Sequence, residues 1–190
     1  RYRCLSGGPG GEMVKVRGIP YNTGDGIGMA LEVGAQSHGH WSSCHAVAWD
    51  MNAPAFGDRN ITELYQKHSY PFGIMVNLDG NRYLDEGADF RNYTYVTYGR
   101  ALLDQPQGLG FQIFDDKVKH LPRDEYHTPQ VTMAEPNTIE ELATRLDIDP
   151  EGLTSTIKAY NAAGQNDVPY NPTIKAGRGT TGIDPPKTHT

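Results

Sequence analysis

Four residues able to ligate a metal or move a proton fall within eight positions: His38, His40, Cys44 and His45, in the run His38-Gly39-His40-Trp41-Ser42-Ser43-Cys44-His45. All four are metal-ligand types, but the run holds no CxxC or HxxxH pair of the kind that zinc sites use. Three readings stay open: a loop whose histidines hydrogen-bond or face water, one histidine that meets an organic substrate, and a His/Cys metal-binding module. A second group is Thr23-Gly24-Asp25-Gly26. Glycines let backbone approach a ligand, and a helix N-terminus attracts anions. The Gly24-x-Gly26-x-Gly28 spacing is not the GxGxxG dinucleotide pattern, and on pattern alone an ordinary capped helix is the favoured reading. In the third group Asp79, Asp85, Glu86 and Asp89 surround Arg82 and Arg91. It reads either as a surface ion-pair cluster of small energetic weight or as an arginine held by carboxylates for an anionic substrate. In either case Arg82 is expected to brace its loop against Asp85 or Glu86.

These residues need elements to position them. Met13 to Val16 reads as a short strand. Thr23 or Asp25 caps a helix that stops at Gly34. Its apolar face, with Ile27 and Leu31, is expected either to find a partner or to fray. Residues 38–58 read as loop. Asn60 with Glu63 three residues on starts a short helix over 61–67. Residues 73–77 and 82–84 flank Asp79-Gly80, a hairpin signal. A helix over about 89–104 and a strand over 110–115 follow. Thr138 and Glu141 form a capping box before Ile139, Leu142, Ala143 and Leu146. Asp149-Pro150 is an N-cap with proline at the first helical position. From 165 the chain is Pro/Gly-rich and aperiodic. Helices and strands mix without βαβ alternation, so the fold class is α+β.

Composition narrows the function classes. The 190 residues carry 23 acidic and 17 basic side chains, for a net charge of −6. The basic residues are scattered, which gives no nucleic-acid footprint. No apolar run approaches the ~20 residues that a membrane span needs. Two cysteines, Cys4 and Cys44, make no disulfide framework and point to a reducing, cytoplasmic setting. The chain opens on Arg1 without an initiator Met or an apolar signal core, which suggests a piece of a longer protein.

At this point the residues support a resemblance. Residues 23–35 (TGDGIGMALEVGA) resemble the "TGDG…A…GA" segment of the fumarate reductase/succinate dehydrogenase flavoprotein family. Residues 77–86 (NLDGNRYLDE) resemble its "N-x-x-G-x-R-F-x-x-E" hairpin. Arg91 follows at about the position of the family's catalytic arginine. His45 falls where the family has a substrate-binding histidine. Within the family the chain is most similar to the FAD-dependent tricarballylate dehydrogenases, on residues 44–50, 67–77, 85–95 and 98–101, and onward through 112–115 to 177–179 and 185–187.

The resemblance implies a capping (catalytic) domain over 37–175, preceded by the end of a FAD-binding domain over 1–36 and followed by a linker or return segment over 176–190. It implies an oxidoreductase that dehydrogenates a CH–CH bond of a di- or tricarboxylate, with hydride to flavin and a proton to arginine. Carried over, Arg91 moves the proton, and His45 binds and polarises a substrate carboxylate. Thr23, Gly24, Asp25 and Gly26 touch FAD. The sequence departs from the family where Ser69-Tyr70-Pro71-Phe72 replaces its Glu/Arg relay. There the hydroxyls of Ser69 and Tyr70 are expected to meet a bulkier tricarboxylate. The family's GxGxxG half and its closing His/Arg segment are not in these residues. The chain is therefore expected to be inactive alone and to hold FAD loosely. Its expected partners are the missing FAD-domain halves, the carboxylate and an electron-acceptor protein. The alternative is a standalone carboxylate-binding or His/Cys metal-binding module.

Overall fold

The computed structural model describes residues 14–41 and 45–189. Cys4, Cys44 and the start of the expected strand at Met13 lie outside the described residues. The centre is a two-stranded antiparallel ribbon of β1 (Ile74–Val76) and β2 (Phe111–Ile113), in the register Ile74–Ile113, Met75–Gln112, Val76–Phe111. Side chains alternate across a strand, and β1 uses both faces. Ile74 and Val76 pack with Ala143, Ile148 and Leu153. Met75 packs on the other face with Tyr70, Leu84 and Tyr98. The first face is covered by α3 (Ile139–Leu146) and α4 (Pro150–Ala163), and the second by α2 (Arg91–Leu103). Helices around a small sheet make an α+β arrangement.

The two C-terminal helices begin at the expected caps. The Thr138 hydroxyl accepts the Glu141 N–H at 3.1 Å, and an Asp149 carboxylate oxygen accepts the Gly152 N–H at 3.0 Å. The Glu141 side chain reaches back one residue further than a capping box does, to the Asn137 N–H at 3.2 Å. The first helix, α1 (Asp25–Glu32), is capped by the backbone of Gly24 at φ 93° instead of by the side chain of Thr23 or Asp25. The Thr23 hydroxyl is turned to the Asp25 carboxylate at 2.6 Å. Gly34, at φ 89°, follows its end as expected. No residue of α1 is buried, and Ile27, Met29 and Leu31 stay exposed.

Two expected elements do not form. The 73–84 hairpin shrinks to a single bridge between Val76 and Arg82, and the strand partner of β1 comes from 111–113. Around Asp79-Gly80 only Gly80 has positive φ, at 72°. The Asn77 carboxamide oxygen accepts the N–H groups of Asp79 and Asn81, at 3.1 and 3.0 Å, and widens the turn. On that edge of β1 the Met75 N–H donates to the Glu86 carboxylate at 2.7 Å, so a side chain stands where a hairpin strand would pair. The helix over 61–67 is a set of turns. Asp58, not Asn60, accepts the next free amide, that of Asn60 at 2.7 Å, and Thr62 turns left-handed at φ 55°. Such local side-chain bonds compete with helix.

The aperiodic C-terminal stretch includes β3 (Thr173–Ala176) and then returns to the body. Lys187 is buried, with its ammonium donating to the carbonyls of Pro71 and Gly73 at 2.8 Å each. The Thr188 N–H donates to Asp85 at 2.9 Å. Among the described residues no helix is long and apolar enough to cross a membrane.

Candidate functional site

One cavity of about 350 Å³ is lined by Arg17, His45, Glu63, Gln66, His68, Arg91, Asn92 and Tyr95. It gathers the two residues singled out as catalytic, Arg91 and His45, from positions 46 residues apart in the chain.

Three pieces of local structure bring them together. Arg91 opens α2, and Tyr95 lies one turn later on the same face. Gly99, one further turn on, has no side chain; a Cβ there would lie 2.5 Å from the Val47 N. Residues 46–47 therefore cross α2 at Gly99 in direct backbone contact, and His45 comes against Tyr95. The 45–50 segment is tied to 63–68 by Lys67 N–H to Ala48 O at 3.0 Å and Asp50 N–H to Tyr65 O at 2.8 Å. That pairing delivers Gln66 and His68. Arg17 arrives with a strand-like stretch that pairs through Val16 N–H to Ala55 O at 2.9 Å, where Gly57 touches the Arg17 carbonyl.

Asp50 anchors the 45–50 segment from behind. Burial pushes its carboxyl up, but the Thr132 hydroxyl and N–H, the Asn52 N–H and the Lys67 charge outweigh burial and hold it below its ordinary value. Lys67 is lowered too, because burial outweighs the raising charges of Asp50 and Glu125.

In the cavity the His45 Nε2 and the Tyr95 hydroxyl are 2.6 Å apart, with the rings edge-on at 5.1 Å. Tyr95 meets His68 equally, also edge-on at 5.1 Å. Arg91 donates from Nη1 to the His68 Nδ1 at 3.2 Å. A guanidinium cannot accept, so Nδ1 is the acceptor and we assign the ring proton to Nε2. That atom is buried, with no hydrogen-bond partner among the described residues. His68 is only 6% exposed. Burial first, then the positive charges of Arg91, Arg123, His45 and Arg17, lower its pKa to about 4. The imidazole is therefore neutral and orients Arg91 without cancelling its charge. No acidic residue sits in the first turn of α2 and no side chain caps it. The positive end of the helix and the guanidinium thus add together, which suits an anion.

The shift of His68 has a consequence for stability. In the unfolded chain its pKa is near 6.5; in the fold it is about 4. Above pH 6.5 the ring is neutral in both states. Between 6.5 and 4 only the unfolded state takes up the proton, so stability falls by about 3 kcal/mol across that window. Asp50 acts at lower pH, because its depressed carboxyl loses stability only as pH falls below the ordinary aspartate range. We expect His68→Phe to flatten the dependence between pH 6.5 and 4 in urea denaturation. An unchanged slope there would show that the ring is not held neutral.

The other predicted residues lie elsewhere. Ser69 and Tyr70 are 1% exposed each and do not line the cavity. The Ser69 hydroxyl accepts the Arg123 N–H at 3.1 Å. The Tyr70 hydroxyl meets Thr94 Oγ1 at 2.7 Å, and its ring stacks by Tyr98 at 4.8 Å. Both hydroxyls are structural here, because buried polar groups must find internal partners. Thr23, Gly24, Asp25 and Gly26 sit at the exposed start of α1. Nothing lies within 4 Å of a Cβ placed on Gly26, so this edge is open. His38 and His40 are exposed. Among the described residues no three His, Cys, Asp or Glu side chains converge on a metal position, Cys44 lying outside them. Arg82 braces Glu86 in a buried ion pair. Asp85 holds the C-terminal return, and Asp89 pairs with Lys175 at 2.9 Å. None of these carboxylates is bonded to Arg91.

His68, Tyr95, Arg17 and Glu63 join the site without having been assigned to it from sequence. The Arg91–Tyr95 spacing of four carried a usable signal for Tyr95; no local pattern marks Arg17.

No family model matches the chain. It is 27% identical over 161 residues to a 4-oxocyclohexanecarboxylate 2-dehydrogenase from Sinomonas cyclohexanicum, an alignment covering 75% of this chain and 26% of that protein. The chain thus spans about a quarter of that relative's length. The likeness is to an oxidoreductase.

Proposed function

We propose that this chain is the substrate-capping part of an FAD-dependent oxidoreductase that dehydrogenates a CH–CH bond in a carboxylate, or reduces the corresponding alkene. The observation carrying this reading is the charged, oriented Arg91 beside His45 in one open cavity. The dehydrogenase likeness supports it. So does the compound for which that relative is named, a carboxylate. The resemblance to tricarballylate dehydrogenases points to a di- or tricarboxylate as substrate.

When bound, FAD would supply the hydride acceptor, with Thr23, Gly24, Asp25 and Gly26 along one edge of it. The chain's own residues bind the acid and handle its proton. Arg91 presents a two-pronged donor to a substrate carboxylate, held in place by His68. The resemblance assigns the proton to Arg91 as well. A guanidinium keeps its proton to pH values above 12, and a neutral imidazole of pKa about 4 does not draw it off. Glu63 has both oxygens engaged, by Arg17 and Gln66. That leaves His45, hydrogen-bonded to Tyr95, as the base that would hold the proton at Nε2. Imidazole is the side chain whose ordinary pKa suits such a role.

The test is the protein expressed from the complete reading frame around these residues. A flavin absorbance spectrum and dye reduction that depends on tricarballylate, succinate or 4-oxocyclohexanecarboxylate are expected. A protein with neither flavin nor acid-dependent dye reduction would end the proposal.

A further inference from the structure

The cavity contains a second guanidinium to which the reading above gives no role. Arg17 is ion-paired with Glu63 Oε1, and the other Glu63 oxygen accepts from Gln66 Nε2 at 2.7 Å. All three residues line the cavity with Arg91 and His45. The Arg17 and Glu63 side chains are 51% and 55% exposed, so the pair is hydrated. Hydrated ion pairs of this kind exchange readily, because water already screens them. Glu63 is the only acidic side chain of the cavity among the described residues. Its carboxylate pairs with Arg17, the guanidinium that His68 does not orient. The charge of Arg17 also acts on the site itself, as one of those that disfavour protonation of His68.

We propose that Arg17 receives a second carboxylate of the substrate, and that Glu63 is the internal carboxylate which that group displaces. This rests on the reading of Arg91 and His45 as a carboxylate site. A guanidinium fork matches either carboxylate bidentately. The exchange leaves Arg17 paired throughout, and the released Glu63 remains hydrated and within reach of Gln66. An acid with a single carboxylate takes Arg91 and leaves the Arg17–Glu63 pair closed. The pair therefore sorts polycarboxylates from monocarboxylates, with Glu63 as the competing element.

Titration calorimetry on the protein expressed from the complete reading frame tests this, with tricarballylate as the polycarboxylate probe and cyclohexanecarboxylate as the monocarboxylate. Arg17→Ala is expected to weaken tricarballylate about tenfold or more, as befits loss of a charge-assisted bidentate contact, and to leave cyclohexanecarboxylate within about twofold. Glu63→Gln is expected to tighten tricarballylate severalfold by freeing the fork. Arg59→Ala, an exposed change of equal charge, controls for long-range attraction. If Arg17→Ala weakens both acids alike, or neither, the second-carboxylate proposal is overturned. If in that case Arg91→Ala still abolishes binding, the carboxylate site itself stands. If Arg91→Ala and His45→Ala also change nothing, or no probe binds the complete wild-type protein, both readings fall.

Discussion

Glu86→Ala should destabilise the fold by about 3–5 kcal/mol, the usual cost of stranding one partner of a buried ion pair. Glu86 is fully buried and the Arg82 side chain is 4% exposed. One Glu86 oxygen accepts both the Met75 N–H at 2.7 Å and the Arg82 Nε at 3.0 Å, while the other pairs with Arg82 Nη2. The same guanidinium donates to the carbonyls of Pro185 and Pro186, at 2.6 and 3.2 Å, and lies 5.2 Å from the Tyr160 ring centre. The pair therefore joins β1, the C-terminal return and α4. Removing Glu86 strands a buried cation and a backbone amide at once. A urea denaturation series should show the loss in midpoint without a large change of slope. In the Arg82→Met/Glu86→Leu variant the stranded charge is gone, so it should lose less than Glu86→Ala. A loss below about 1 kcal/mol for Glu86→Ala would mean that water reaches this site.

Arg91→Lys should lower kcat/KM of the complete enzyme about 10²–10³-fold, the scale found for removing one oriented donor from a developing anion. Lysine keeps the charge, so long-range attraction of the acid survives. It loses the fork, and with it the hydrogen bond to the His68 Nδ1 at 3.2 Å that fixes the side chain. How the loss divides is informative. If Arg91 clamps a carboxylate and His45 takes the proton, Arg91→Lys raises KM as well as lowering kcat. His45→Gln would then lower kcat and remove the acid limb of the pH profile. If Arg91 itself moves the proton, its loss falls on kcat alone and His45→Gln keeps that limb. Undiminished turnover in Arg91→Lys would remove the residue from the chemistry altogether.

The two predictions draw on different layers of the same packing. Met75 connects them: its backbone is held by Glu86, and its side chain packs with Tyr70 and Tyr98 beneath α2. The Tyr70 hydroxyl in turn meets Thr94, in the first turn of the helix that carries Arg91. Ser69 and Tyr70 thus support the site from below. Their polar atoms, read from sequence as substrate contacts, are consumed within the core.

What the sequence by itself determined is local. The caps at Thr138 and Asp149, and with them the starts of α3 and α4, follow from hydrogen bonds that span three residues. The α2 segment and β2 are likewise legible from the pattern of their own residues. Arg91 and His45 could be named from motif resemblance, but not placed together. Tertiary structure decided which strand pairs with β1, because the buried Glu86 carboxylate satisfies the edge where the hairpin would have closed. It also built the cavity, since only the bare backbone of Gly99 lets residues 46–47 lie on α2 and carry His45 to Tyr95. Such contacts join residues tens of positions apart, and their energy comes from burial and mutual satisfaction, which no local pattern encodes.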